Sequence, residues 1–208
     1  ALPADDPDRE MSNLHSSYAW GVVGVVIIST LFLYIFGAQS WQCLALMFMI
    51  VPLISIILLW GAKLPEMETP ERVSGAMGYL KNGGVWLCVF GIFLGGAAEV
   101  TMAQWSSSYL EYALGIPKVW GDVLGVAMFA VMLGIGRTLY SKVGKNVERV
   151  LLLGGIGATA CYLIAALSSV PVLGLVGCAF TGFCVSMLWP GSLIVASGRY
   201  PAGGVFIY

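Results

Sequence analysis

This chain has few charged residues. Lys, Arg, Asp and Glu make up 10% of its 208 residues, whereas 59% are hydrophobic. Soluble domains carry roughly 25% charged residues, so this sequence has too little charge to cover a globule in water. The composition excludes an ordinary soluble domain. It predicts an all-α fold, a polytopic transmembrane helix bundle, because a helix satisfies its own backbone hydrogen bonds in lipid.

The sequence also lacks the residues that catalysis and metal binding require. It has one histidine, His15, and it contains no nucleophile elbow, zincin motif, P-loop or dinucleotide fingerprint. Its five cysteines all lie in apolar stretches without a C-x-x-C pair, which is typical of small buried hydrophobes. We therefore predict no enzymatic activity, no catalytic residue, no metal and no cofactor. A net charge of −1 gives no reason to expect a nucleic-acid partner.

Long apolar stretches are abundant instead. Five of them reach the length of a membrane span, and the last is long enough for two: residues 18–36, 41–60, 84–102, 120–139 and 150–190. The polar residues 1–13 are predicted to form a cytoplasmic loop that ends at a helix start near Ser12 or Asn13, since both residues are good caps. A seventh span is predicted to begin at Gly203. Because it stops at Tyr208, we interpret the chain as an internal fragment of a longer membrane protein.

The ten cations are distributed unevenly when these spans are threaded through a bilayer in alternation. Lys118 falls on one side, and nine fall on the other: Arg9, Lys63, Arg72, Lys81, Arg137, Lys142, Lys145, Arg149 and Arg199. Lys and Arg are retained on the cytoplasmic side during membrane insertion. The pattern predicts a multi-pass protein with the nine cations in the cytoplasm.

One substantial polar stretch, residues 61–83, divides the spans into two groups. All other connections are short, which is typical of neighbouring antiparallel helices. We predict that residues 1–60 form the end of one bundle and that residues 61–83 are a cytoplasmic linker. Residues 84–208 would then form part of a second bundle, with four spans and the start of a fifth.

Glu99 is the one acid well inside an apolar stretch. A carboxylate in hydrocarbon costs several kcal/mol unless it faces the protein interior, a partner or a water-filled cavity. We predict that Glu99 binds a solute or a proton in a central cavity. The alternative is a structural acid that is hydrogen-bonded to a neighbouring helix.

Aromatic residues and the single histidine supply the other candidates. His15 is a candidate proton carrier, although it also fits a capping or interfacial histidine. Trp105 and Tyr109 lie four residues apart, which suits stacking on the apolar face of a sugar and equally suits anchoring at the interface. Trp189 precedes Pro190, and this pair is predicted to break the sixth span where a cavity needs shape.

One segment resembles the Gly-Arg loop between helices eight and nine of the major facilitator superfamily. It runs over residues 134–144, GIGRTLYSKVG, and its motif positions are Gly136, Arg137, Lys142 and Gly144. Residues 13–21, the region of Glu99, Trp189-Pro190 and residues 199–201 are similar to the fucose-permease-like sugar transporter branch. The resemblance implies that the chain covers helices five to eleven of a twelve-helix transporter.

The resemblance also implies a function and a set of site residues. Helices seven and ten of the superfamily line a central cavity, so Glu99, Trp105 and Trp189 are expected to face it. The function implied is secondary transport of a sugar or similar small polar solute by alternating access, with proton symport, in the plasma membrane of a bacterium. The partners implied are membrane lipid, the solute, a proton and the missing helices of the same polypeptide. A non-transporting sensor and a structural subunit of a membrane complex remain alternatives.

Overall fold

The computed structural model of the chain describes residues 7–62, 78 and 81–200. Within them the backbone is helical and contains no strand, so the all-α prediction is confirmed. Seven helices follow one another along the chain: α1 (Pro7–Phe36), α2 (Trp41–Trp60), α3 (Gly83–Tyr112), α4 (Lys118–Val143), α5 (Val147–Leu167), α6 (Pro171–Val185) and α7 (Leu188–Arg199).

These helices form six candidate membrane spans by length and composition, because α6 and α7 together make one span, Pro171–Arg199. Their outer surfaces are apolar, with Trp60 89% exposed and Leu167 81% exposed. Such a surface is favourable against hydrocarbon or against further apolar helices, and unfavourable against water. The number of spans agrees with the prediction for residues 18–190. The predicted seventh span at Gly203 and most of the linker 61–83 lie outside the described residues.

The spans alternate in direction, as the short connections predicted. The guanidinium of Arg199, at the end of α7, lies 3.0 Å from the carboxylate of Glu148, at the start of α5. The Arg199–Glu148 pair marks one end of the bundle, which we call the basic end. Six of the described cations lie there: Arg9, Lys81, Lys142, Lys145, Arg149 and Arg199. Lys118 lies at the opposite end, while Lys63 and Arg72 fall outside the described residues.

The predicted loop 1–13 is too long. Helix α1 begins at Pro7, since proline is well tolerated at the first position of a helix. Ser12, predicted to cap the helix, is instead fully buried within it and donates a hydrogen bond to the carbonyl oxygen of Arg137 at 2.9 Å. The first turns of α1 therefore pack against the end of α4.

Helices α4 and α6 form the centre of the bundle. Helix α6 packs between α4 and α5, and α1 lies along the other side of α4. Glycine permits the closest of these approaches: a Cβ atom on Gly182 of α6 would overlap the carbonyl oxygen of Phe129 on α4. Helix α2 makes little contact with the remaining helices and carries its apolar side chains on the outside.

Two irregularities interrupt the regular helices. Residues Gly121–Ala127 of α4 are π-helical, with Gly121 and Gly125 packed against α3. No sequence pattern predicted this segment. The sixth span breaks at Ser186 and Met187, between α6 and α7. The break was predicted at Trp189-Pro190, but Pro190 lies in the first turn of α7, where its missing N–H costs little.

Candidate functional site

Glu99 lies midway along α3, at the point where this helix runs against the start of α7. Gly95, one turn earlier, makes the approach possible, because a Cβ atom there would stand 2.9 Å from the backbone carbon of Leu188. Gly96 lies against the ring of Trp189, since a Cβ atom added to Gly96 would stand 3.4 Å from the Cδ1 atom of that ring. The small residues before Glu99 therefore hold its carboxylate beside Trp189.

Arg137 is the partner of Glu99. Its Nη2 donates to the Oε2 atom of Glu99 at 2.6 Å, and the two side chains are 2% and 12% exposed respectively. The other carboxylate oxygen, Oε1, has no hydrogen-bond partner among the described residues. The site is thus a nearly buried ion pair between α3 and α4, which is the arrangement that makes a charged side chain tolerable inside a membrane.

The position of Arg137 corrects the prediction that it belongs to a cytoplasmic loop. Both Gly136 and Arg137 lie inside α4, which continues to Val143, and Arg137 is 1% exposed. The connection between α4 and α5 is shorter than predicted and consists of residues 144–146. Of the proposed loop motif, Gly144 lies in this connection, and Lys142 lies exposed in the last turn of α4.

Two backbone carbonyl groups complete the coordination of Arg137. Its Nε donates to the carbonyl oxygen of Ser186 at 2.9 Å, and its Nη1 donates to that of His15 at 3.2 Å. The guanidinium carbon also lies 5.9 Å from the centre of the Tyr18 ring, within cation–π range. One side chain therefore connects α1, α3 and the break between α6 and α7.

The local sequence explains why the carbonyl of Ser186 is available. In a continuous α-helix this oxygen would accept a hydrogen bond from the N–H of the residue four positions later. That residue is Pro190, which has no N–H. The proline thus leaves an acceptor inside the bundle, and Arg137 takes it.

His15 and Trp189 form the aromatic part of the site. Their rings meet edge to face with centroids 4.8 Å apart, an arrangement that aromatic rings prefer. They line a pocket of about 340 Å³ together with five further residues: Tyr18, Gly96, Glu99, Val100 and Arg137. This volume is within the range of small-molecule sites. The pocket offers a carboxylate oxygen, a phenol, an imidazole and an indole face.

Trp105 and Tyr109 do not reach this pocket. They line a separate groove of about 200 Å³ beside α5, and the Trp105 side chain is 63% exposed. The hydroxyl of Tyr109 donates to the carbonyl oxygen of Ala165 at 2.6 Å, which ties the outer part of α3 to the end of α5. The exposure of Trp105 fits the interfacial alternative, whereas Tyr109 makes a structural contact between two helices.

We expect Tyr109→Phe to lower the free energy of unfolding by about 0.6–1.5 kcal/mol, because the carbonyl of Ala165 loses its side-chain donor. Thermal unfolding of the purified protein in detergent measures the change. Tyr112→Phe is the matched control, since that side chain is on the same helix and 83% exposed. Equal stability of the two variants would contradict a structural role for Tyr109.

Sequence reasoning identified Glu99, His15 and Trp189 separately, and the structure brings them together. The sequence did not predict the pairing of Glu99 with Arg137, the hydrogen bond from Ser12 to the Arg137 carbonyl, or the hydrogen bond from Arg137 to the Ser186 carbonyl. The sequence did contain an indication that the Ser186 carbonyl is free, because Pro190, which has no N–H, lies four residues after Ser186. Among the described residues, no group of His, Cys, Asp and Glu has the arrangement of a metal site, and the five cysteines are not paired in disulfides.

A family model described as Major Facilitator Superfamily matches residues 2–206. No curated protein and no solved structure matches the chain.

Proposed function

Because this chain belongs to the major facilitator superfamily of membrane transporters, it is a multi-pass integral membrane protein, and we propose that it carries a sugar or similar small polar solute by alternating access. The pocket at Glu99 is the observation that supports this proposal most directly. Glu99 is hydrogen-bonded to the neighbouring helix α4, as the structural alternative expects, but its side chain also lines a pocket with Trp189 and His15, which a purely structural acid would not need to do. We place the solute there.

The chemistry of the pocket favours a solute that donates hydrogen bonds. The Arg137 guanidinium bonds to one carboxylate and two carbonyl oxygens through Nε, Nη1 and Nη2 and is 2% exposed on its side chain, so it is poorly placed to bind an anion. Glu99 retains Oε1 as an acceptor for a hydroxyl group. Trp189 supplies an aromatic face for the apolar side of a sugar ring, as a member of the fucose-permease-like branch would require.

The contacts of α1 support the proposal of alternating access. If residues 1–60 and 84–208 belong to different bundles joined by the linker 61–83, contacts between α1 and α4 cross the division. Trp20 Nε1 donates to Thr138 Oγ1 at 3.4 Å, and Arg137 bonds to the carbonyl of His15. We propose that these contacts close the pocket towards the basic end, and that they separate when the site opens there.

Glu99 is also the proposed proton carrier, with His15 beside it. The titratable or charged groups that face Glu99 are Arg137 on α4 and His15 and Tyr18 on α1. A proton on Glu99 would remove the charge that attracts Arg137 and would leave the guanidinium held by carbonyl groups. Protonation would thereby weaken the connection between α3 and α4. Because Arg137 also bonds to the carbonyl group of His15 on α1, we propose that its release from Glu99 couples proton binding to the contact between the bundles.

We expect Glu99→Gln to lower uptake of the transported sugar by about 10- to 100-fold, because a charge-assisted hydrogen bond is lost, and to abolish its pH dependence. Uptake of labelled pentoses and hexoses by bacterial cells, per amount of folded protein, measures this. Glu111→Gln removes an acid from the end of the same helix and is the matched control. Trp189→Phe, which retains the ion pair, is expected to weaken uptake as well.

Full uptake by Glu99→Gln with unchanged pH dependence would remove Glu99 from the mechanism. A second test measures sugar accumulation in proteoliposomes that hold the protein in either orientation, with the basic end inside or outside. The proposed localisation in a bacterial plasma membrane, with the basic end in the cytoplasm, predicts that a proton gradient directed towards that end drives accumulation.

A further inference from the structure

A further cavity lies at the basic end, away from the pocket at Glu99. It is a groove of about 460 Å³ between α4 and α5, floored by the end of α6. Helices α4 and α5 are consecutive in the chain, yet both pack against α6 rather than against each other. The walls are apolar, and these are the residues that form them: Leu139, Val143, Val150, Leu153 and Phe183.

Glycines determine the shape of this α4–α5 groove. An added Cβ atom on Gly136 of α4 would stand 2.6 Å from the Cβ of Ser186, and one on Gly154 of α5 would stand 2.5 Å from the carbonyl oxygen of Cys184. The α5 wall therefore meets the backbone of the floor at Cys184, and the α4 wall lies directly against the side chain of Ser186. Gly144 closes the end, where an added Cβ atom would overlap the Tyr140 ring. The groove is a built feature of the packing.

The open end of the groove carries positive charge. Lys145 and Arg149 line it, and neither forms an ion pair with the described residues. The nearest acid in sequence, Glu148, is paired with Arg199. The side chain of Asn146 accepts from the backbone N–H of Arg149 at 3.0 Å and so caps the first turn of α5, whose N-terminus adds partial positive charge.

The surroundings identify the occupant. Leu139 is 48% exposed and Leu153 is 62% exposed, and both belong to candidate membrane-spanning helices, where lipid chains are the expected neighbours. The two cations stand where the span ends, at the level of the lipid headgroups. We propose that the α4–α5 groove binds one anionic phospholipid, with an acyl chain along the apolar walls and the phosphate against Lys145 and Arg149. This site is separate from the proposed solute site.

Lipid retention by the purified chain tests the proposal. The protein in detergent is titrated with phosphatidylglycerol or with phosphatidylcholine of the same acyl chains, and bound lipid is counted by native mass spectrometry. We expect one phosphatidylglycerol to bind more tightly than phosphatidylcholine. The double variant Lys145→Gln/Arg149→Gln should bind it about 30-fold more weakly, since each cation near an anionic surface strengthens binding about fivefold.

Two matched variants separate this site from general attraction. Lys81→Gln/Lys142→Gln removes two charges from the same end but outside the groove lining, and should retain the lipid within about twofold. Leu153→Ser should weaken lipid binding through the apolar wall alone. Equal losses in the two double variants would overturn the proposal. So would displacement of the lipid by glycerol 1-phosphate at the concentration at which short-chain phosphatidylglycerol displaces it, because the site would then bind free phosphate.

Discussion

Replacing Arg137 with Met is expected to lower the free energy of unfolding by about 3–5 kcal/mol. The substitution leaves the carboxylate of Glu99 nearly buried with no opposite charge, and removing one partner of a buried pair costs this much. It also removes the donors to the carbonyl groups of His15 and Ser186. Thermal unfolding in detergent, followed by tryptophan fluorescence, measures the loss.

Arg199→Met is the matched control for this prediction. Arg199 also pairs with a glutamate, but its side chain and that of Glu148 are 60% and 66% exposed. An exposed pair contributes about 0–1 kcal/mol because water solvates both partners in its absence. Similar losses in the two variants would mean that water reaches Glu99 and Arg137 freely.

The double variant Glu99→Gln/Arg137→Met refines the same measurement. Without the carboxylate there is no unpaired charge, so the double variant should be more stable than the sum of the single losses predicts. We expect an interaction energy of about 1–3 kcal/mol, the range for residues in direct contact. An additive result would show that Arg137 acts through the carbonyl groups of His15 and Ser186 and not through Glu99.

Replacing Gly182 with Ala is expected to lower the free energy of unfolding by about 1–3 kcal/mol. The added methyl group would overlap the carbonyl oxygen of Phe129 and would stand 3.2 Å from the backbone nitrogen of Leu133. Both neighbours are backbone atoms of α4, so neither yields by a rotamer change. The helices α4 and α6 must move apart, and packing at the centre of the bundle is lost.

Gly155→Ala provides the comparison, since no atom lies within 4 Å of the methyl group that it would add. There the substitution changes mainly helix propensity, and we expect a gain of about 0.5–1 kcal/mol. Unfolding of both variants under the same conditions measures the difference. A loss of stability in Gly155→Ala as large as in Gly182→Ala would show that the glycines act through the backbone alone.

Much of the fold was predictable because the membrane imposes simple rules on a sequence. A span needs about 20 apolar residues, so residues 41–60 were identified with the bounds that α2 has in the structure. Charges are excluded from hydrocarbon, so the cations marked the ends of the spans. The start of α1 was misplaced by several residues, because a residue that can cap a helix, such as Ser12, can also be a buried hydrogen-bond donor within it. The break after α6 was misplaced by three residues, because proline is tolerated in the first turn of the next helix.

The candidate site was predictable in part. Glu99 was identified because a carboxylate in an apolar span is costly unless it has a partner or a water-filled cavity. Trp189-Pro190 was identified because proline interrupts the hydrogen bonds of a helix. The separation of Trp105 and Tyr109 from Glu99 was not predictable, since it depends on which face of α3 meets α5 and which meets α7. The assignment of Arg137 to a loop was wrong because the apolar stretch ends near it, although the helix does not.

The amino-acid sequence by itself determined the six candidate membrane spans of the described residues and placed one carboxylate where lipid disfavours an isolated charge. Local hydropathy is enough for both conclusions. Only the tertiary structure decided that the compensating charge is Arg137, 38 positions away, and that Pro190 frees a carbonyl for it. Such pairings depend on how helices distant in sequence are rotated and packed, which no local pattern contains.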